Sequence, residues 1–278
     1  MEIIENNGLL FNTEKGRLME LVITGNNLAY ELDALEKYNV KSIVLNRYYC
    51  ERRINDLSFL KECPYITSVV ICDDDFSLDG LYNLHGLERL VIQGHDTIDY
   101  SLFPNLKVLD TRQTAPYKFP DSLQTLYIWY MKLKGKTLST LTFPKELKNL
   151  NIYWSDIQNL DGLPSGLNHF GIGYTRKLKS LSGLDNSSQT LLDVEIENCP
   201  NLRDYQALHS CLSIRKLLLI GCREISTIGF VSNMKKLEHF AFSGTLVEDK
   251  DLSPLTGIPS VYFTNNKSYN RKLKDFKA

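Results

Sequence analysis

The chain has 278 residues and a net charge of −1, from 32 lysines and arginines against 33 aspartates and glutamates. That balance gives no broad electrostatic drive toward nucleic acid or an acidic membrane. No apolar run reaches the ~18 residues of a spanning helix, and the start MEIIENNGLLF lacks the basic and long apolar stretches of a signal peptide, so a cytoplasmic protein is expected.

Residues 1–17 read as a hairpin. Ile3-Ile4 and Leu9-Leu10-Phe11 flank Asn6-Asn7-Gly8, and Asn-Gly supplies the positive φ of a tight turn. The segment is placed to cap the first strand edge of whatever follows. From Leu18 the spacing L-x-x-L-x-L-x-x-N-x-L begins, with Leu18, Leu21, Ile23, Asn26 and Leu28 in the first copy. Its first position recurs at Val40, Ile66, Leu87, Leu106 and Leu123, then at Leu147, Leu167, Leu191, Ile214, Leu237 and Ile258. From Leu18 to Ile258 there are eleven steps over 240 residues, a mean period near 22, with single steps from 17 to 26. Leu150 and Ile152 point into the core, so Asn149, Asn151 and Tyr153 point to solvent. Ser155, Thr114, Thr175, Thr245, Asp74, Cys199 and Cys222 replace the ladder asparagine and can still bond the turn backbone.

The returns repeat too, as SLDGL at 77–81, NLDGL at 159–163, SLSGL at 180–184 and DLSPL at 251–255. They are too short for full helices and predict 3₁₀ turns. The tail, 267–278, carries Lys267, Arg271, Lys272, Lys274 and Lys277, and reads as a capping helix with Leu273 and Phe276 inward. The six cysteines lie inside repeats without a CxxC pair and read as reduced and structural. No His or Cys pair has ligand spacing, so neither metal nor cofactor is expected.

On these repeats the chain resembles the leucine-rich repeat superfamily from about residue 18 to 266. The period and the LxGL and LSPL returns are most similar to the class of the bacterial internalins and the leucine-rich regulatory subunit of protein phosphatase 1, from which the irregular steps depart. The resemblance implies an α/β leucine-rich repeat solenoid, a curved horseshoe with about twelve parallel strands on its concave face and short 3₁₀ or irregular returns on its convex face. Its parts are an N-terminal cap (1–17), the solenoid (18–266) and a capping tail (267–278).

The concave positions concentrate information in the middle of the chain. The fifth repeat offers Asp110 and Arg112, and the sixth Tyr127, Trp129 and Tyr130. The seventh adds Tyr153 and Trp154, the eighth His169 and Tyr174, and the ninth the row Asp193, Glu195, Glu197. Gly171 and Gly173 predict a shallow depression within this patch. Aromatics beside charges are the composition of an interface hot spot, although cross-strand rings also stiffen a sheet. There is no P-loop, GxSxG or HExxH, and Asp193 and Glu195 share one strand rather than flanking a cleft, so an enzyme is not expected.

The reading is a non-enzymatic protein-binding scaffold, monomeric on its own, that grips a folded partner with a basic surface and contacts neither nucleic acid nor membrane. Similarity to stand-alone bacterial leucine-rich repeat proteins implies a finer possibility, an immunity factor covering the basic active site of a toxin. The alternatives are a phosphatase-regulator-like adaptor, a secreted internalin-like adhesin and a carbohydrate-binding solenoid.

Overall fold

Alternation of apolar and polar residues leaves many of the strands with one side buried and the other more open. The computed structural model describes residues 2–15, 17–51, 53–94, 98–112 and 117–276. These fall into two units, 1–124 and 125–278.

In the first unit, β1 (Glu2–Asn6) and β2 (Leu9–Glu14) form the expected antiparallel hairpin, turning through Asn7 and Gly8 at φ 53° and 75°. β2 pairs antiparallel with β3 (Arg17–Val22). α1 (Leu28–Lys37) follows, then β4 (Ser42–Leu45), α2 (Arg47–Cys50), β5 (Ser68–Ile71), β6 (Arg89–Ile92) and β7 (Val108–Thr111). From β3 onward the strands are parallel. The two helices correct the expectation that all returns are 3₁₀ or irregular. LAYELDALEK has a helical period that buries Ala34 and Leu35, and the side chain of Asn27 caps it by accepting from the Tyr30 N–H at 3.3 Å. Its buried Glu31 accepts from the backbone N–H groups of Thr24 and Gly25, both at 3.0 Å, and so ties the helix to the strand exit.

In the second unit the elements are β8 (Thr125–Trp129), β9 (Asn149–Tyr153), β10 (His169–Gly173), β11 (Asp193–Glu197), β12 (Lys216–Ile220), β13 (Arg223–Ile225), β14 (His239–Phe242), β15 (Thr245–Val247) and β16 (Ser260–Phe263). β8 to β12, β14 and β16 pair in parallel, with Leu126, Leu150, Phe170, Val194, Leu217 and Phe240 in one register column, all buried. β13 and β15 pair separately. The returns here are 3₁₀ turns, among them Leu184–Ser187 and Gln206–Ser210. Each of the twelve expected repeat strands is present.

Ten of the first ladder positions, from Val40 to Leu237, are buried, while Leu18 and Ile258 are half-buried, because a repeat flanks each of these two on one side only. The ladder turns use their polar atoms as the sequence suggested. Thr245 Oγ1 accepts from the Cys222 N–H at 3.0 Å and donates to the Leu219 carbonyl at 2.6 Å; the Cys222 thiol reaches the Ile220 carbonyl at 3.5 Å. Thr114 and Lys277 lie outside the described residues. At the C-terminal end the expected capping helix is a single 3₁₀ turn, Leu273–Phe276, with neither Leu273 nor Phe276 fully buried. The buried group is Tyr269, whose ring meets Phe263 edge-on and whose hydroxyl accepts from the Val247 N–H at 3.1 Å.

Leu150→Ala should lower the unfolding free energy by about 2–5 kcal/mol, since the cavity left in a packed column cannot collapse. Leu18→Ala, at a half-buried end position, should cost clearly less. Urea denaturation followed by circular dichroism compares the two.

Candidate functional site

In eight repeats the eighth position, where the chain leaves its strand, turns through the left-handed region; Arg47, Asp73 and Asn265, at the same position of three others, do not. Gly25, Gly94, Gly221 and Gly244 hold it at φ between 65° and 83°, and Asn198 at 50°. These are the residues that tolerate such a backbone. In three successive repeats the position is held instead by Tyr130, Trp154 and Tyr174, at φ 59°, 52° and 55°. A bulky residue there costs about 1–2 kcal/mol. The parallel ladder continues regardless: the Tyr130 N–H donates to the Tyr153 carbonyl at 2.8 Å, the Trp154 N–H to Gly173 at 3.0 Å and the Tyr174 N–H to Glu197 at 2.8 Å.

The three rings stack along the strand direction of pairing. Tyr130 and Trp154 have centroids 5.4 Å apart at 14°, and Trp154 and Tyr174 4.7 Å apart at 16°. Both faces of Trp154 are thus covered. All three rings stay part-exposed: exposure is 43% for Tyr130 and 41% for each of Trp154 and Tyr174. A second tier lies one residue back, where half-buried Trp129 stacks on Tyr153 at 4.6 Å and on Trp154 at 5.4 Å.

The depression expected over Gly171 and Gly173 is not there. A Cβ on Gly173 would meet the Tyr153 ring at 2.8 Å, and the Asn151 side chain covers Gly171 in the same way. Side chains lean from each strand over the next, so the glycines accept a neighbour's bulk and are themselves buried. Burial and the nearby Glu197 push the Tyr153 phenol up. His169 Nε2 bonds Asn151 Oδ1 at 3.0 Å, and burial pulls its imidazole below the usual range despite the neighbouring Glu195 and Asp193.

The acidic row is present in register on β11, but its members differ. Glu195 is paired with Lys216 of β12 at 2.5 Å, whereas Asp193 and Glu197 make no ion pair among the described residues. Next to the ring ladder, at the strand exits, lies a groove of about 610 Å³. It is walled by Tyr130, Trp154 and Tyr174 and floored by Ser155, Pro200 and Gly221; Arg176, Lys177 and Asn198 line its rim.

No family model and no curated protein sequence matches the chain. Among solved structures it is similar to an internalin, inlF, of Listeria monocytogenes str. 4b F2365, with a TM-score of 0.53 and 17% identity, over 90% of this chain and 83% of that one. The fold is the leucine-rich repeat fold. It also matches a leucine-rich repeat protein of Leptospira interrogans (TM-score 0.40, 14% identity, 91% and 78% covered) and internalin C2 of the same Listeria strain (0.35, 18%, 76% and 76%). At these identities the likeness speaks for the fold alone.

Of the site residues expected within the leucine-rich repeats, the structure brings Trp129, Tyr130, Tyr153, Trp154 and Tyr174 into contact. Half-buried Tyr127 lies on the same open face. Asp110 is half-buried and Arg112 exposed, both in the first unit. Arg176 and Lys177 were not singled out by the sequence reading, because they fall just beyond the strand pattern. The left-handed column was visible as glycines at 25, 94, 221 and 244 in the eighth repeat position. Among the described residues, no helix is long and apolar enough to cross a membrane, and no group of three or more His, Cys, Asp or Glu could hold a metal ion.

Because burial lowers the His169 pKa, the unfolded chain binds that proton more readily than the folded one. Stability should therefore be full above the unfolded value, about 6.5, and fall as the pH drops through the lower folded value. Urea midpoints at pH 7.5 and 5.5 should show a smaller acid loss for His169→Gln than for wild type.

Proposed function

We propose that the chain is a protein-binding leucine-rich repeat scaffold that docks a folded partner on the aromatic ladder of its second unit. One observation carries this reading. Three bulky rings occupy a left-handed backbone conformation that glycine or asparagine fills elsewhere in the same column, and they stay part-exposed to solvent. Strain maintained at an exposed site is a mark of use rather than of stability. Rigid, part-exposed aromatics are the residues that dominate interface energetics.

The partner is a protein with a basic patch facing Asp193 and Glu197, and Asp110 and Arg112 are proposed as further contacts from their own unit. In the finest form of the reading the scaffold is a bacterial immunity protein that covers a toxin's basic active site. Six free thiols, five of them buried, fit a monomer working in the cytoplasm, where burial holds Cys199 up at about 12 and Cys222 at about 11. Adaptor and adhesin readings change the partner but not the surface. Sugar stacking, by contrast, needs open ring faces, and those of Trp154 are covered.

Tagged wild type, Trp154→Gly/Tyr174→Gly and Asp193→Asn/Glu197→Gln should be compared for capture of a partner, identified by mass spectrometry and then titrated. The glycine pair should weaken binding by about 100-fold or more, as loss of two hot spots does. The amide pair should chiefly remove the salt dependence of association. A partner held equally by wild type and the glycine pair would place the interface elsewhere.

A further inference from the structure

The aromatic column stops at Tyr174. In the next repeats it continues as Asn198, Gly221 and Gly244, and the Asn198 side chain leans to within 2.6 Å of where a Cβ of Gly221 would stand. The groove of about 610 Å³ opens at this step, within the range of sites that enclose a ligand group.

Its chemistry is one-sided. Stacking covers both faces of Trp154, so that ring presents its edge, where the quadrupole is positive, while Tyr174 is stacked on one face only. The Tyr174 hydroxyl and the Trp154 indole N–H are donors. Arg176 and Lys177 are exposed on the rim, and neither makes an ion pair among the described residues. The lining contains no carboxylate. Asp156, which also feels Lys177, is already bonded to Lys136. An arginine fork and a lysine beside ring edges match a carboxylate and repel a cation.

We propose that this groove receives an acidic segment of the protein partner, with Arg176 and Lys177 binding its carboxylates and Trp154 and Tyr174 lining its path. The inference rests on the protein-binding reading and adds to it. The partner then offers opposite charges to two adjoining surfaces, a basic patch to Asp193 and Glu197 and an acidic segment to the groove. Such a pattern fixes the orientation of docking as well as its strength.

The test uses the full chain, labelled with ¹⁵N, and a blocked synthetic octapeptide of aspartate and glutamate as probe. The Trp154 indole and the amides of Arg176, Lys177 and Asn198 should shift and saturate on titration. Arg176→Glu/Lys177→Glu should weaken the response by about tenfold or more, as expected for charge-assisted contacts, while Asp193→Asn/Glu197→Gln leaves it in place. No shift, an equal shift with the asparagine and glutamine version of the peptide, or tighter binding of a lysine octapeptide or an oligothymidine overturns the proposal. Failure here is separable from failure of the scaffold reading. If Arg176→Glu/Lys177→Glu still holds the protein partner that Trp154→Gly/Tyr174→Gly loses, only the acidic-segment inference falls.

Discussion

In a parallel ladder each side chain sits about 4.8 Å from its equivalent on the next strand, because that is the spacing of the backbone hydrogen bonds. Inside, this spacing stacks Leu126, Leu150 and Phe170 into one continuous apolar column. Outside, it brings equivalent rings to stacking distance without any further device. The 4.7 Å between Trp154 and Tyr174 is the strand spacing expressed in side chains. The same geometry lets Tyr153 fill the space above Gly173 and Asn151 the space above Gly171, so a residue's surroundings are set as much by the neighbouring repeat as by its own.

The strand exit adds a second constraint. Eight repeats leave their strands through a left-handed residue, and the cheap solutions are glycine and asparagine. Repeats that use them carry no side chain, or a short one, at the rim. Three that place Tyr130, Trp154 and Tyr174 in that conformation present a rigid aromatic strip, and the cost of about 1–2 kcal/mol per residue is offset in part by stacking worth about 0.5–1.5 kcal/mol per pair. Electrostatics then divides the surface. The Lys216 bond takes up Glu195 on the open face, leaving Asp193 and Glu197, while the exits beside them carry Arg176 and Lys177.

The repeat register was legible because a single buried leucine per turn is a strong periodic signal, and Leu147, Leu167 and Leu191 are all fully buried. The hairpin at Asn7-Gly8 was legible for the same kind of reason, since few residues accept that turn. The returns were less so: LAYELDALEK is long enough to complete a helix capped by Asn27, where its shorter counterparts make only 3₁₀ turns. The aromatic cluster could be placed on neighbouring strands from spacing alone. Its backbone conformation could not, because the tyrosines and tryptophan mask the glycine signature of their column. The emptiness above Gly171 and Gly173 was misjudged since the lean of Asn151 and Tyr153 across the ladder is a property of packed repeats, not of one repeat. The ion pair to Lys216 and the rim cations depend on that same packing.

The most direct measurement is the unfolding free energy of Tyr130→Gly/Trp154→Gly/Tyr174→Gly by urea denaturation. If the rings are held in strain for binding, relief of three left-handed side chains offsets the lost stacking, and the variant should match wild type to within about 1 kcal/mol. A loss of about 3 kcal/mol or more would show the ladder to be a structural brace, and would contradict the account.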